Sequence, residues 1–178
     1  MKDAMGEAKS EAKSEAMNEP APTIATRESF AAALHWGFQT AIAQGARSVT
    51  CVDATFEHWP LDDVGLLESL TAWVRLPQRS LCLLAASYGE VPSRQPRFTA
   101  WRRDFAHATV ALQAPSEFAA DLPTLLLDDK CVSVHLIDAV HWRGRASTAV
   151  RTRLLWQEKI DVVLQRSEPG FHITTLGL

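Results

Sequence analysis

Acidic side chains and a histidine follow a predicted strand in the stretch CVDATFEHWPLDD, residues 51–63. Asp53, Glu57 and His58 have the side chains of an acid–base cluster or a metal site. Asp53 lies at the carboxyl end of the strand, where ligands bind in open α/β sheets. The stretch also fits a local role, in which Asp53 caps a turn and Asp62 or Asp63 accepts hydrogen bonds from helix amides. Capping needs no distant partner, and we therefore expect the local role.

A second pair of acids, Asp128 and Asp129, lies at a predicted hairpin turn. Neighbouring strand residues point to opposite faces, so these two carboxylates do not readily form a paired site. Aspartate is favoured in turns, which is the role we expect for both. The catalytic alternative is a hydrolase with a rebuilt site, and it requires Asp53, His58 and Asp128 to converge within hydrogen-bond reach.

The other motifs of catalysis and metal binding are missing from the sequence. None of the six histidines has H-x-x-x-H spacing, and no C-x-x-C pair occurs, so we expect no metal site. His135 alternates with apolar residues and is interpreted as a hydrogen-bonded strand residue. The glycine-rich loops that bind nucleotides and the G-x-S-x-G elbow of hydrolases are also missing. We therefore expect no cofactor.

Arginines form two groups along the chain. Arg94, Arg97, Arg102 and Arg103 lie on one predicted helix, and a second group flanks the last helix: Arg143, Arg145, Arg151, Arg153 and Arg166. Together with Trp101, Trp142 and Trp156, they could form a stacking groove for single-stranded nucleic acid. The candidate phosphate-binding residues are Arg94, Arg97, Arg143 and Arg145. The alternative is a solvated surface whose arginines pair with acids, and the net charge of −3 favours it over general nucleic-acid binding.

These residues need a scaffold, which apolar periodicity predicts. Residues 1–26 contain a repeated E-A-K-S within a run, residues 6–16, that has no bulky apolar residue, and we expect a disordered tail. Residues 27–178 follow the order α-β-α-β-α-β-β-β-α, which predicts one α/β domain with a mixed, mostly parallel sheet and helices on both faces. A last helix over residues 147–167 is expected to bury the apolar residues Val150, Leu154, Leu155, Ile160, Val163 and Leu164.

The apolar runs, the N-terminal residues and the cysteines indicate the cellular compartment of the protein. No apolar run reaches the roughly 18 residues of a membrane span, and the N-terminus has no secretory signal. The three cysteines are widely spaced within apolar runs, as buried free thiols are. We expect a cytoplasmic protein without a membrane partner.

The segment LLLDDKCVSVHL, residues 125–136, resembles the hairpin that carries the H-x-K-x-x-x-x-D motif of the phospholipase D-like superfamily. Asp128 closes an apolar strand before a tight turn, as the motif aspartate does. The last helix, which contains Trp156, is similar to the C-terminal helix of these proteins. The strand with its W-P-L-D-D loop and the ending Leu176-Gly177-Leu178 resemble a bacterial family of single, degenerate phospholipase D-like domains. The resemblance covers residues 27–178 and implies one half of the phospholipase D-like fold. It also implies a homodimer, because family halves pair across a two-fold interface.

The catalytic residues of that motif are absent. With Asp128 on the motif aspartate, the histidine position falls on Asp121, the lysine position on Pro123 and the Gly-Ser position on His135 and Leu136. In the family the histidine attacks phosphorus and the lysine holds a phosphate oxygen. Aspartate repels a phosphodiester, and proline has neither charge nor donor. We therefore expect a non-catalytic domain that acts through protein interaction.

Overall fold

The computed structural model describes residues 20–172, so residues 1–19 of the predicted tail and the resemblance at residues 176–178 lie outside the described residues. In chain order the described elements are β1 (Thr23–Ile24), α1 (Arg27–Ala43), β2 (Ser48–Asp53), α2 (Val64–Val74), β3 (Ser80–Ala85), α3 (Val91–Arg94), α4 (Pro96–Asp104), β4 (Thr109–Gln113), α5 (Ser116–Ala119), β5 (Thr124–Asp128), β6 (Ser133–Asp138), β7 (Arg143–Ser147), α6 (Val150–Leu164) and β8 (Glu168–Pro169).

The strands form one mixed sheet with the order β1-β7-β6-β5-β2-β3-β4-β8, which confirms the predicted α/β class. The pairs β2–β3 and β3–β4 are parallel, as the helix–strand alternation predicted. The other five pairs are antiparallel. Antiparallel pairing therefore has a larger share than the prediction of a mostly parallel sheet implied. Short turns join two of the five antiparallel pairs, β5–β6 and β6–β7, and the other three connect strands that are far apart along the chain.

Helices cover both faces of the sheet, and alternate strand residues point to different helices. Cys51 packs with the apolar residues of α1, α2 and α4, whereas its neighbour Val52 packs with Ile160 and Val163 of α6. The first face holds the larger core and includes Phe30, Leu34, Phe38, Leu70, Trp73 and Phe98. The strands are apolar on both faces because both faces are covered.

The predicted burial of the last helix is wrong for half of its apolar residues. Ile160 and Val163 are buried, but Val150, Leu154 and Leu155 are 52%, 46% and 54% exposed. The helix also begins three residues later than predicted, at Val150, because residues 143–147 form β7. Only one side of α6 reaches the sheet, so the apolar residues of its other side stay in solvent.

Three strands were not predicted: β1, β7 and the two-residue β8, which pairs with β4. β7 has the sequence Arg-Gly-Arg-Ala-Ser, which lacks the apolar alternation of a strand. Its glycine is required by close packing, because a Cβ atom at Gly144 would lie 2.5 Å from the carbonyl oxygen of His135. β1 pairs with β7 and buries Ile24, although residues 23–24 fall within the predicted tail.

The hairpin turn uses the Asp128 carboxylate as predicted. Oδ1 of Asp128 accepts hydrogen bonds from the amides of Lys130 (3.0 Å) and Val132 (2.8 Å). Its other oxygen is buried and has no hydrogen-bond partner among residues 20–172. Burial raises the pKa of the Asp128 carboxyl, and the hydrogen bonds from the turn amides oppose that shift. Asp129 accepts a hydrogen bond from the Arg47 amide (3.0 Å).

We predict that Asp128→Ala lowers the free energy of unfolding by about 1–3 kcal/mol, because two turn amides lose their acceptor. Asp128→Asn keeps an acceptor oxygen and should cost less than about 1 kcal/mol. The raised pKa means that protonation favours the folded state, so wild type should lose stability relative to Asp128→Asn as the pH rises above about 4. Urea unfolding at pH 4 and pH 7 measures this; a difference that grows in favour of wild type at pH 7 contradicts the assignment.

Candidate interaction surface

The loop after β2 uses Asp53 as a turn cap. Oδ1 of Asp53 accepts hydrogen bonds from the amides of Thr55 (2.9 Å) and Phe56 (2.7 Å), and Oδ2 accepts one from the Thr124 hydroxyl (2.6 Å). Both carboxylate oxygens are therefore engaged within the fold. The local role predicted for Asp53 is confirmed.

Two further acids of the same stretch cap helices. Asp63 is the N-cap of α2 and its Oδ1 accepts from the Leu66 amide (2.8 Å). Asp62 instead accepts from the first amides of α4, at Arg97 (2.7 Å) and Phe98 (3.0 Å). Capping was predicted for these acids, but a cap supplied by Asp62 to a distant helix was not.

A buried glutamine that was not predicted from the sequence fixes this loop. Nε2 of Gln95 donates to the carbonyl oxygens of Phe56 (2.7 Å) and Trp59 (3.2 Å). Phe56 has a φ of 59°, a left-handed conformation that costs energy in a residue other than glycine. The Phe56 amide donates to Asp53 and the Phe56 carbonyl accepts from Gln95, so hydrogen bonds on both sides of the residue hold this conformation. A lone glutamine has no sequence signal that marks such a role.

The structure does not bring Asp53, His58 and Asp128 together. Asp128 pairs with Val49 at the start of β2, whereas Asp53 ends that strand. Val49 and Asp53 are four steps apart along the strand, which is about 13 Å. His58 is exposed and its ring packs against Trp142, with ring centroids 5.2 Å apart. A rebuilt hydrolase site at these three residues has no geometric basis.

A groove between β6, β7 and α6 contains the predicted strand histidine. It is lined by Ser133, His135, Ile137, Arg145, Thr152 and Trp156, and its volume is about 160 Å³. His135 packs on Trp156 with centroids 4.3 Å apart. Burial and the nearby Lys159 ammonium lower the pKa of His135, which favours its neutral form at pH 7. In the described part of the chain no group of three or more His, Cys, Asp or Glu side chains is placed to hold a metal ion.

Most of the first arginine group is neutralised or buried. Arg94 forms ion pairs with Glu57 (3.1 Å) and Glu90 (3.6 Å), and Arg97 forms one with Asp62 (3.7 Å). Arg102 is buried, with its guanidinium 4.5 Å from the Phe171 ring centroid. The first two of the four candidate phosphate-binding arginines therefore have carboxylate partners.

Arg143 and Arg145 differ from that group. Both lie on β7, are exposed, and have no ion pair among residues 20–172. They are two residues apart on one strand and so point to the same face. Their guanidinium groups are free to contact an anion.

The tryptophans predicted to stack on bases are already packed. Trp101 is buried between Phe98 and Phe105. Trp142 packs against Phe30 and His58. The Trp156 ring has His135 beside it and the Lys159 ammonium 4.8 Å from its centroid. Each member of this predicted set already has an aromatic or cationic neighbour.

Three of the exposed large apolar residues in the described part of the chain lie together on the outer side of α6. At 100° per residue, its solvent side carries a stripe about 100° wide, which consists of Arg151, Leu154, Leu155, Glu158 and Val162. Leu154, Leu155 and Val162 are 46%, 54% and 51% exposed. We call these five residues the α6 stripe. On the same side of the sheet, Val110 of β4 and Ile137 of β6 are also exposed.

Comparison with known proteins adds the fold alone. No protein-family model matches the sequence, and no curated protein matches it. The structure is similar to that of TrmBL2, described as an archaeal chromatin protein that shows a novel mode of DNA binding. The TM-score is 0.55 at 15% sequence identity, and the match covers 95% of this chain and 62% of that chain. The chain thus spans less than two thirds of the length of TrmBL2. The resemblance to phospholipase D-like proteins stays a prediction.

Within residues 20–172, none of the helices has both the length and the apolar character that crossing a bilayer requires.

We predict that substitutions on the two sides of α6 change the free energy of unfolding by very different amounts. Leu155→Gln should change the free energy of unfolding by no more than about 0.5 kcal/mol, because the side chain is already in solvent. Ile160→Ala should lower it by about 2–5 kcal/mol, because it leaves a cavity in the core. Urea unfolding at low protein concentration compares the two variants. A large loss in Leu155→Gln would show that the stripe packs within the chain.

Proposed function

We propose that the protein is a non-catalytic, phospholipase D-like interaction domain that binds another protein through the α6 stripe. The observation that carries this proposal is the half exposure of Leu154, Leu155 and Val162 on one side of a helix whose other side is in the core. Exposed apolar residues that form a continuous patch with polar neighbours are typical of protein interfaces.

The acidic residues support a non-catalytic role. Asp53, Asp62, Asp63 and Asp128 use their carboxylates to accept hydrogen bonds from backbone amides. The position of the motif histidine holds Asp121, which is exposed, and that of the motif lysine holds Pro123. The three thiols are free, which is the usual state in the cytoplasm, where we place the protein.

The proposal is tested by a photo-crosslinking amino acid placed at Leu155 and, as a matched control, at Val64. Val64 is 51% exposed, close to the 54% of Leu155, and lies on α2 across the sheet. We expect a protein adduct from position 155 in cells that express the full chain, and none from position 64. Equal adducts from both positions, or a crosslink within one chain only, would contradict the proposal. Turnover of a generic phosphodiester that disappears in Asp128→Ala would overturn its non-catalytic part.

A second candidate function is binding to the phosphate backbone of nucleic acid through Arg143 and Arg145. The observation in its favour is that both guanidinium groups are exposed without an ion pair in the described residues. The DNA binding described for TrmBL2, whose fold is similar, is compatible with it. Because the predicted tryptophans are packed, such binding would rest on phosphate contacts rather than base stacking.

We predict that Arg143→Ala/Arg145→Ala weakens binding to a fluorescent duplex and reduces the slope of log K against log salt by about two. The matched control is Arg94→Ala/Arg97→Ala, which removes the same charge from arginines that already pair with acids. Fluorescence anisotropy from about 50 to 200 mM salt measures both variants. Equal losses in the two variants would indicate an effect of net charge and count against a site on β7.

A further inference from the structure

We infer that the partner of the α6 stripe is a second copy of this chain, docked with its α6 antiparallel across a two-fold axis between Leu154 and Leu155. This inference rests on the proposed function, since it names the protein that the stripe binds. It is carried by the spacing of charges along the stripe.

The charges of the stripe are arranged symmetrically about its leucines. Arg151 and Glu158 are seven residues apart, which is two helical turns, and therefore lie on one line along the helix about 10 Å from each other. Leu154 and Leu155 lie midway between them. In an antiparallel pair with its axis at this midpoint, Arg151 of each copy faces Glu158 of the other. Contacts across a two-fold axis occur twice, so this arrangement forms two equivalent ion pairs.

Both charges are available for such contacts. Neither Arg151 nor Glu158 forms an ion pair among the described residues, and both are exposed. The neighbouring charges of the helix are engaged: the Lys159 ammonium lies over the Trp156 ring, and Asp161 accepts a hydrogen bond from Gln157 (2.6 Å). The arginine and glutamate that symmetry places opposite each other are therefore the free ones.

The apolar part of the stripe fits the same geometry. Leu154 and Leu155 of the two copies would meet at the axis and exclude water there, with the charges outside them, as in interfaces with an apolar centre and a polar rim. A nucleic-acid phosphate gains nothing from contact with Leu155 and would be repelled by Glu158. The stripe therefore matches another α6 better than it matches an anion.

The expected dimer is weak. A single pair of helix faces buries less surface than the roughly 1,200–2,000 Å² of stable interfaces. We therefore expect association in the micromolar range, which sedimentation equilibrium and light scattering over a concentration series can measure on the full chain.

Charge exchange tests the inference. Arg151→Glu places two glutamates opposite each other twice, and Glu158→Arg does the same with arginines, so each variant alone should have a dimer dissociation constant at least about tenfold higher than wild type. In a mixed dimer of the two variants, positions 151 and 158 of each copy face an opposite charge on the other copy, so both ion pairs are present and no like charges meet. The heterodimer should therefore bind more tightly than either homodimer. The double variant Arg151→Glu/Glu158→Arg restores both ion pairs in reversed order and should self-associate within about threefold of wild type. Arg103→Glu, an exposed charge change on α4, is the control and should have no effect.

Each outcome decides between the two proposals. Restored association in the double variant, together with loss in each single variant, supports the antiparallel pair. A wild-type chain that stays monomeric, or a dimer unaffected by the exchange, overturns this inference. If position 155 then still crosslinks to a different protein, the proposed function stands and only the identity of the partner is wrong. If position 155 crosslinks to nothing, both fail.

Discussion

The area of one sheet face exceeds what one helix can cover, and the molecule is organised by that mismatch. Eight strands spaced about 4.8 Å apart span roughly 34 Å, whereas a helix with its side chains is about 10 Å wide. On one face α1, α2 and α4 share the task and their large residues form a continuous core. On the other face α6 is the one long helix among the described residues, with the short α5 beside it. Val110, Ile137 and the outer side of α6 are left in solvent as a result.

The polar residues around the first core mostly serve the backbone. Asp53 and Gln95 fix the loop after β2, Asp62 and Asp63 begin two different helices, and Asp128 closes the hairpin. Residues of the same types at the same spacing could equally have formed an acid–base site. The outcome depended on contacts that the sequence does not reveal, such as the one between Asp53 and Thr124, which are far apart along the chain.

Periodicity predicted most of the fold because most elements have a continuous apolar side. The helix over residues 27–43, the three parallel strands and the hairpin follow from it. β7 could not be found in this way, since Arg-Gly-Arg-Ala-Ser has no apolar alternation and its glycine is required by tight packing on β6. The exposure of Leu154 and Leu155 was also hidden, because a sequence shows that a helix is apolar but not how many of its sides have something to pack against. A helical wheel of α6 would have shown the midpoint arrangement of Arg151 and Glu158.

The two cores differ in size, and the difference affects how the native state opens. The smaller core joins α6 to the sheet through few residues of the helix, chiefly Ile160 and Val163. The larger core, on the face covered by α1, α2 and α4, includes residues from Ile24 to Leu136. Opening free energies follow the amount of packing that each cooperative unit loses. Detachment of α6 should therefore require less free energy than global unfolding, so its amide hydrogens should exchange with solvent through a separate, lower-energy opening. A partner bound to its outer side would slow that exchange without any change in the larger core.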